Sequence, residues 1–98
     1  MGISYKSAEF LIESRMADAA RGDAGACFDL GIAYSSGTHG IGVDLIEAHK
    51  WFNLSALAGS IEGQQCRAEI AEEMTAREIA EAQRQARAWL SASQRLAA

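Results

Sequence analysis

Three glycines, Gly37, Gly40 and Gly42, stand directly before a strongly helical run in "YSSGTHGIGVDLIEAHKWF". A glycine-rich loop feeding a helix N-terminus can cradle a phosphate on its backbone N–H groups. That chemistry needs a Lys and a hydroxyl after the last glycine, as in G-x-x-x-x-G-K-[ST]. Here Gly42 is followed by Val43 and Asp44. An acidic cap at the helix start would repel a phosphate and already takes up the N–H groups it would need. A dinucleotide-binding loop also requires a preceding strand, and "FDLGIAY" reads as helix. The glycines are therefore expected to reverse the chain between two antiparallel helices, with positive φ where the turn demands it and Ile41 or Val43 tucked beneath.

The soft metal ligands are His39, His49, Cys27 and Cys66. No two share a close spacing such as C-x-x-C or H-x-x-x-H. They read as a loop histidine, a helix-surface histidine and two small packing thiols, with no metal or other cofactor expected. Nucleophilic catalysis needs a Ser or Cys beside a His base. Ser35 and Ser36 precede His39 but carry no nucleophile-elbow pattern, so a small hydrolase built around His39 or His49 is the remotest expectation. No enzyme is expected.

The elements that would hold these residues are helical. The punctuation predicts five helices and no alternating strand. The first runs from Ser7 to Ala20 with Phe10, Leu11, Met16 and Ala17 as its apolar side. Gly22 suits a left-handed helix end, and Asp23 can cap the next start. The second covers Ala24 to Ser36, with Cys27, Leu30, Gly31 and Tyr34 on one face. The third covers Asp44 to Leu57, where Asp44 and Glu47 have capping-box spacing and Leu45, Ala48, Trp51, Phe52 and Ser55 recur at helical intervals. The fourth runs from Ile61 to Glu73, with Arg67 interrupting an apolar stripe of Ala68, Ile70, Ala71 and Met74. The fifth opens on a Thr75–Glu78 capping box, turns Ile79, Ala82, Ala86, Trp89 and Leu90 inward, and frays within "SASQRLAA". Tyr34, Trp51 and Phe52 are expected in the core. Arg77, Arg84 and Arg87 alternate with Glu78 and Glu81 as a solvated, salt-bridged face.

"ARGDAGACFDLG" and "LAGSIEGQQCRA" overlay with Gly22 on Gly59, a 37-residue period. Each unit is a helix pair, and periods of that length mean α-solenoids whose neighbours bury each other's faces. The overlay is partial: Leu30 falls on Arg67 and Gly31 on Ala68.

The residues "GDAGACFDLGIAYSSG", "GI" and "D..EAHKWFNLSALAG" resemble the Sel-1-like repeat, a relative of the tetratricopeptide repeat. The family's Leu-Gly pair and Tyr are matched by Leu30, Gly31 and Tyr34. Its Gly-rich turn, Asp and Ala-x-x-Trp-aromatic run are matched by Gly37, Asp44, Ala48, Trp51 and Phe52. The tail "CRAEIAEEMTAREIAEAQRQARAWL" is similar to the closing helices of many bacterial members. The turn from Gly37 to Asp44 is one residue longer than the family's usual spacing, and the second unit lacks the Leu-Gly pair and the Tyr. The resemblance implies an all-α fold: a short right-handed α/α solenoid of about five antiparallel helices in one domain. Residues 7–21 would form an N-terminal capping helix, 22–59 a full repeat and 60–92 a partial one.

In such a superhelix the first helix of each pair lines the concave side. With Leu30, Gly31 and Tyr34 in the core, Phe28, Ile32, Ser35 and Ser36 should face the groove. By the 37-residue offset Gln65, Glu69, Glu72 and Glu73 take the equivalent places, giving a groove with an apolar half and an acidic half. The function implied is binding of a protein or peptide of basic character, as an adaptor or regulator in a bacterial cytoplasm. A self-associating unit that completes its solenoid by stacking into a homo-oligomer is the second expectation.

The bulk chemistry bounds both. In 98 residues, 49% apolar and 22% charged, there is one modest core, much of it alanine. The formal charge of −4 weighs against nucleic acid, which wants a basic face. No signal peptide and no membrane-spanning run is expected, and two widely separated cysteines fit a reducing cytoplasm.

Overall fold

The structure, a computed structural model, describes residues 5–97, and the side chains of 10–38 and 40–94. His39 as a candidate ligand or base thus lies outside the described side chains. The chain is all-α: α1 (Tyr5–Ala20), α2 (Ala24–Ser36), α3 (Leu45–Leu57), α4 (Ile61–Ala71) and α5 (Ala76–Ala97), with one 3-10 turn at Thr38–Gly40. Among the described residues there is no strand.

Each boundary has a local cause. The Asp23 carboxylate accepts from Ala26 N–H at 3.0 Å, and the Ser60 hydroxyl from Gly63 N–H at 2.9 Å. These caps satisfy N–H groups that a helix start leaves open. Thr75 and Glu78 form the expected reciprocal box, at 3.1 and 2.8 Å. At Asp44 only half of the box forms. Its carboxylate accepts from Glu47 N–H at 3.1 Å, but its own N–H donates across the loop to Tyr34 C=O at 2.9 Å. Glu47 is drawn instead to the Trp51 indole N–H at 3.0 Å and the Lys50 ammonium. The loop glycines Gly37, Gly40 and Gly42 all have φ near +70°, so the reversal is built from conformations other residues adopt at a cost. Ile41 is half-buried beneath it and Val43 is exposed.

Helix α3 is the hub, packed against α2, α4 and α5. Ala48, Trp51, Phe52, Leu54 and Ser55 are buried on it, each large apolar side chain contributing about 2–3 kcal/mol. The Trp51 ring meets Trp89 of α5 edge-on with centroids 4.8 Å apart, and Ala82 and Ala86 let α5 approach closely. Helix α5 packs on α3 rather than on its sequence neighbour α4. The 37-residue offset is visible in detail: α2 and α4 begin at residues 24 and 61, each after a positive-φ glycine and a side-chain cap.

Two helices reach α3 through glycine. A Cβ on Gly31 of α2 would lie within 2.9 Å of three Phe52 ring atoms. A Cβ on Gly63 of α4 would overlap the buried Ser55 hydroxyl, which donates to Phe52 C=O at 2.9 Å.

Several expectations are corrected. On α1 the inward residues are Ile12, Met16 and Ala19; Phe10, Leu11 and Ala17 are exposed, because only one side of α1 meets α2. On α4 Ala68 is exposed, while half-buried Arg67, at the place equivalent to Leu30, donates to Asn53 of α3. Leu90, expected inward, is 36% exposed, and α5 continues to Ala97 through the segment in which it was expected to fray.

Replacing Gly by Ala inside a helix ordinarily gains about 1 kcal/mol. At Gly31 overpacking against Phe52 reverses the sign, so Gly31→Ala should lower unfolding free energy by about 1–3 kcal/mol. Gly25→Ala, in the same helix but meeting only the tip of the Asp23 capping carboxylate at 3.2 Å, should cost clearly less than Gly31→Ala. Urea denaturation of both variants measures the contrast; equal effects would remove the close-approach argument.

Candidate functional site

The arc of α2 that the core leaves over is set by its neighbours. Ala26, Cys27, Leu30, Gly31 and Ala33 are buried, and Phe28, Asp29, Ile32 and Ser36 are left outside that packed face. Helix α2 packs on α1 along one edge and touches α4 along the other. Between α1 and α2 lies a cleft of about 480 Å³ lined by Leu11, Ile12, Arg15, Leu30, Ile32 and Thr38, among others. Ile32 is 39% and Leu11 41% exposed, so two branched apolar side chains of adjacent helices face water together.

The cleft has one polar rim. Arg15 spans from α1 to α2, 3.3 Å from Asp18 and 3.6 Å from Asp29. Asp18 is shared with Arg21, which leaves the Asp29 carboxylate, 57% exposed, with a single long contact.

The residues expected in a groove are distributed as follows. Ile32 lines the cleft. Phe28 is half-buried, its ring tilted on Phe52 at 5.6 Å, so much of it serves the α2–α3 contact. The Ser35 and Ser36 hydroxyls both donate to Ile32 C=O, at 3.2 and 2.6 Å; they satisfy the last turn of α2. Gln65, Glu69, Glu72 and Glu73 are exposed on or just after α4. Among the described residues no ion pair involves those three glutamates. The cleft lining includes neither Phe28 nor any residue of α4. Leu11, Ile12, Arg15 and Asp29 were missed because their role depends on how α1 leans against α2. The one sequence signal was the adjacent pair Leu11–Ile12, too wide an apolar arc for a single packed stripe.

Of the remaining chemistry-bearing groups, Cys27 and His49 are buried and Cys66 is half-buried. Burial, with Asp23 nearby, pushes the Cys27 thiol up to about 11, so it stays protonated and unreactive. Cys66 is raised by burial and by Glu69 and Glu62. Both cysteines are free. Among the described residues no three His, Cys, Asp or Glu side chains cluster to hold a metal ion. His49, expected on the helix surface, is only 3% exposed, because α3 is covered on three sides. Its Nδ1 has no hydrogen-bond partner. Burial, then the Arg67 charge, holds its pKa below the ordinary imidazole value. No described helix is long and apolar enough to cross a membrane.

Comparison with protein-family models, curated proteins and solved structures gives no match.

Because the folded-state pKa of His49 is depressed, the unfolded chain binds the proton more tightly. Stability from the neutral imidazole is present above pH ~6.5 and is lost as pH falls through and below that value. Glu81, held down to about 2 by hydrogen bonds from Arg84 and Gln85, acts only at lower pH. Urea midpoints should therefore drop between pH 6.5 and 5, and His49→Leu should flatten that slope. An unchanged slope in the variant would assign the drop elsewhere.

Proposed function

We propose that this chain is a short α/α solenoid of the Sel-1-like kind, right-handed, acting as a non-enzymatic protein-binding module. Its docking face is the outer side of α2, with Ile32 and the exposed part of Phe28 giving apolar contact and Ser35 and Ser36 at the helix end. Gln65, Glu69, Glu72 and Glu73 of the α4 region provide an acidic flank. The partner is a protein or peptide of basic character, met in a bacterial cytoplasm, with no nucleic acid, membrane or cofactor involved.

The observation that carries this reading is the apolar cleft left open between α1 and α2, with Leu11 and Ile32 exposed on its walls. Two further features support the repeat: the 37-residue recurrence of glycine, cap and helix start, and the pairing of like with like, α2 with α4 and α3 with α5. The charge of −4 and the unpaired α4 glutamates support a basic partner through steering. Fold analogy alone is a weak warrant for function, so the argument rests on that face.

Affinity capture from a host lysate, read by mass spectrometry, tests it. Wild type is compared with a Phe28→Ala/Glu69→Lys/Glu72→Lys variant whose folding is confirmed by circular dichroism. A partner held by wild type and lost by the variant is the expected outcome. Equal capture by both would move the docking face elsewhere.

A second reading, self-association, is favoured by a different feature. Leu57 and Ile61 are exposed on either side of the α3–α4 corner, and Leu57 and Leu90 line a smaller apolar cleft with Trp89. Sedimentation showing mass that rises with concentration, abolished by Leu57→Asp, would support stacking through that end; a monomer at all concentrations would remove it.

A further inference from the structure

We infer that α4 is an acid-released flap: protonation of the buried His49 imidazole undocks it from α3 while α2, α3 and α5 stay packed. The inference goes beyond the protein-binding reading and does not depend on it.

The surroundings of His49 leave no place for a second proton. The residue is 3% exposed, and its Nδ1 has no hydrogen-bond partner. A neutral imidazole carries one N–H, so one ring nitrogen can stay bare. The imidazolium carries two, and both are donors. Protonation in place would therefore set an unsatisfied N–H and a charge inside a closed interface. The charged group that acts on His49 is the Arg67 guanidinium of α4, which opposes a second cation.

Among the described side chains no carboxylate acts on His49 to offset that charge. On its own helix Asp44 caps the N-terminus, and Glu47 is engaged by Lys50 and the Trp51 indole. On α2 Asp29 is paired with Arg15, and the Tyr34 phenol, raised above its ordinary value, is uncharged. On α5 Glu81 is held by Arg84. On α4 Glu69 is exposed, and the Cys66 thiol, also raised, is uncharged.

The release falls on α4 because that helix is thinly held. His49 and Asn53 are one turn apart on α3 and share a face, and Asn53 accepts from Arg67 of α4. One buried residue, Gly63, anchors α4 against Ser55 and the Phe52 C=O. Cys66, Arg67 and Ile70 are half-buried, and most of its other residues are exposed. Elements with so few buried contacts open at the lowest free energy. Helix α5 packs on α3 rather than on α4, so α4 can leave while α5 holds its place. Residues 58–60, with Gly59 at φ 107°, and the turn at 72–75 serve as its hinges.

The direction follows from the proton count. Burial, then the Arg67 charge, holds the imidazole below its ordinary value in the docked state. Undocked, it takes its proton at ~6.5. The docked state is thus fully favoured above that pH. Below it the opening constant rises by up to about tenfold per pH unit, until pH falls through the docked value.

Amide hydrogen exchange of the full chain, read by NMR between pH ~7.5 and ~5, tests this. Protection factors corrected for intrinsic rate should fall at least about tenfold at residues 65–71. Those around Trp51, Ala82 and Ala86 should fall clearly less. His49→Leu should keep α4 protection level across the range. If that variant does not fold, Arg67→Gln gives a second readout. It retains an amide donor toward Asn53 and removes the opposing cation, so the fall should shrink. Equal loss of protection on α3, α4 and α5 would mean unfolding of the whole domain and would overturn the flap. So would an unchanged fall in either variant, or a His49 ring that titrates in this range with α4 protection unaltered.

Discussion

The arrangement depends on two places where a side chain is missing. Gly31 lets the Phe52 ring lie directly on the backbone of α2, and Gly63 lets α4 close on Ser55 and the Phe52 carbonyl. Both contacts fall on adjacent turns of α3. A Cβ at either glycine would collide with the α3 side chain it faces. Phe28 can then reach the far side of the Phe52 ring at 5.6 Å, and the Ser55 hydroxyl, with no room to turn outward, is satisfied by the carbonyl one turn back. Trp51, on the next face, joins the core cluster with Leu30 of α2 and Ala86 of α5 and is held by its indole bond to Glu47 and by Trp89. In a core so rich in alanine, close approach substitutes for side-chain bulk: packing area comes from backbone against ring.

That constraint also explains which parts of the fold were legible from the sequence. Turn and cap chemistry is local, so Gly22, Asp23 and the Thr75–Glu78 box could be read from neighbours alone, and they stand in the structure as expected. Of the capping box at Asp44 only the Asp44 half stands. Glu47 had two better partners in Trp51 and Lys50, and the Asp44 N–H was already taken by Tyr34 across the loop. Gly31 was marked as structural by the Leu-Gly resemblance, whereas nothing around Gly63 announced a close crossing. His49 was misplaced because a helix covered on three sides has almost no surface, a property of neighbours and not of its own periodicity.

The exposed side of α2, the face proposed for docking, was legible to the same degree. Subtracting the core positions of α2 from its circumference leaves Ile32 outward, and that arithmetic needs only a helix period. It also leaves Phe28 outward, yet Phe28 is half-covered, because a phenylalanine beside a Gly–Phe contact can fold down onto the ring. The partner wall of the cleft, Leu11 and Arg15, depends on the rotation of α1, whose apolar residues spread over too wide an arc to choose one face. The glutamates of α4 were placed by the repeat offset and are exposed as that offset requires, but the offset says nothing of what lies across from them.

The separation of the cleft from the hub has a consequence for how this small chain can carry a binding surface at all. A domain of this size has a stability of only about 5–10 kcal/mol, and a site made of core residues would change stability whenever it changed specificity. Here the tight contacts converge on α3, at Gly31, Gly63, Trp51 and Phe52, while Leu11, Arg15, Asp29 and Ile32 lie on the other side of α2 and α1. Leu30 is shared, with one side of its chain in the core and the other forming the floor of the cleft. The rim can therefore vary its charge and shape without moving the helices, as long as Leu30 stays. A partner seated in that cleft would cover Leu11 and Ile32 and bring α1, which packs on α2 and scarcely on α3, under a second constraint. Binding there and the docking of α1 would then be linked, each favouring the other by the same free energy.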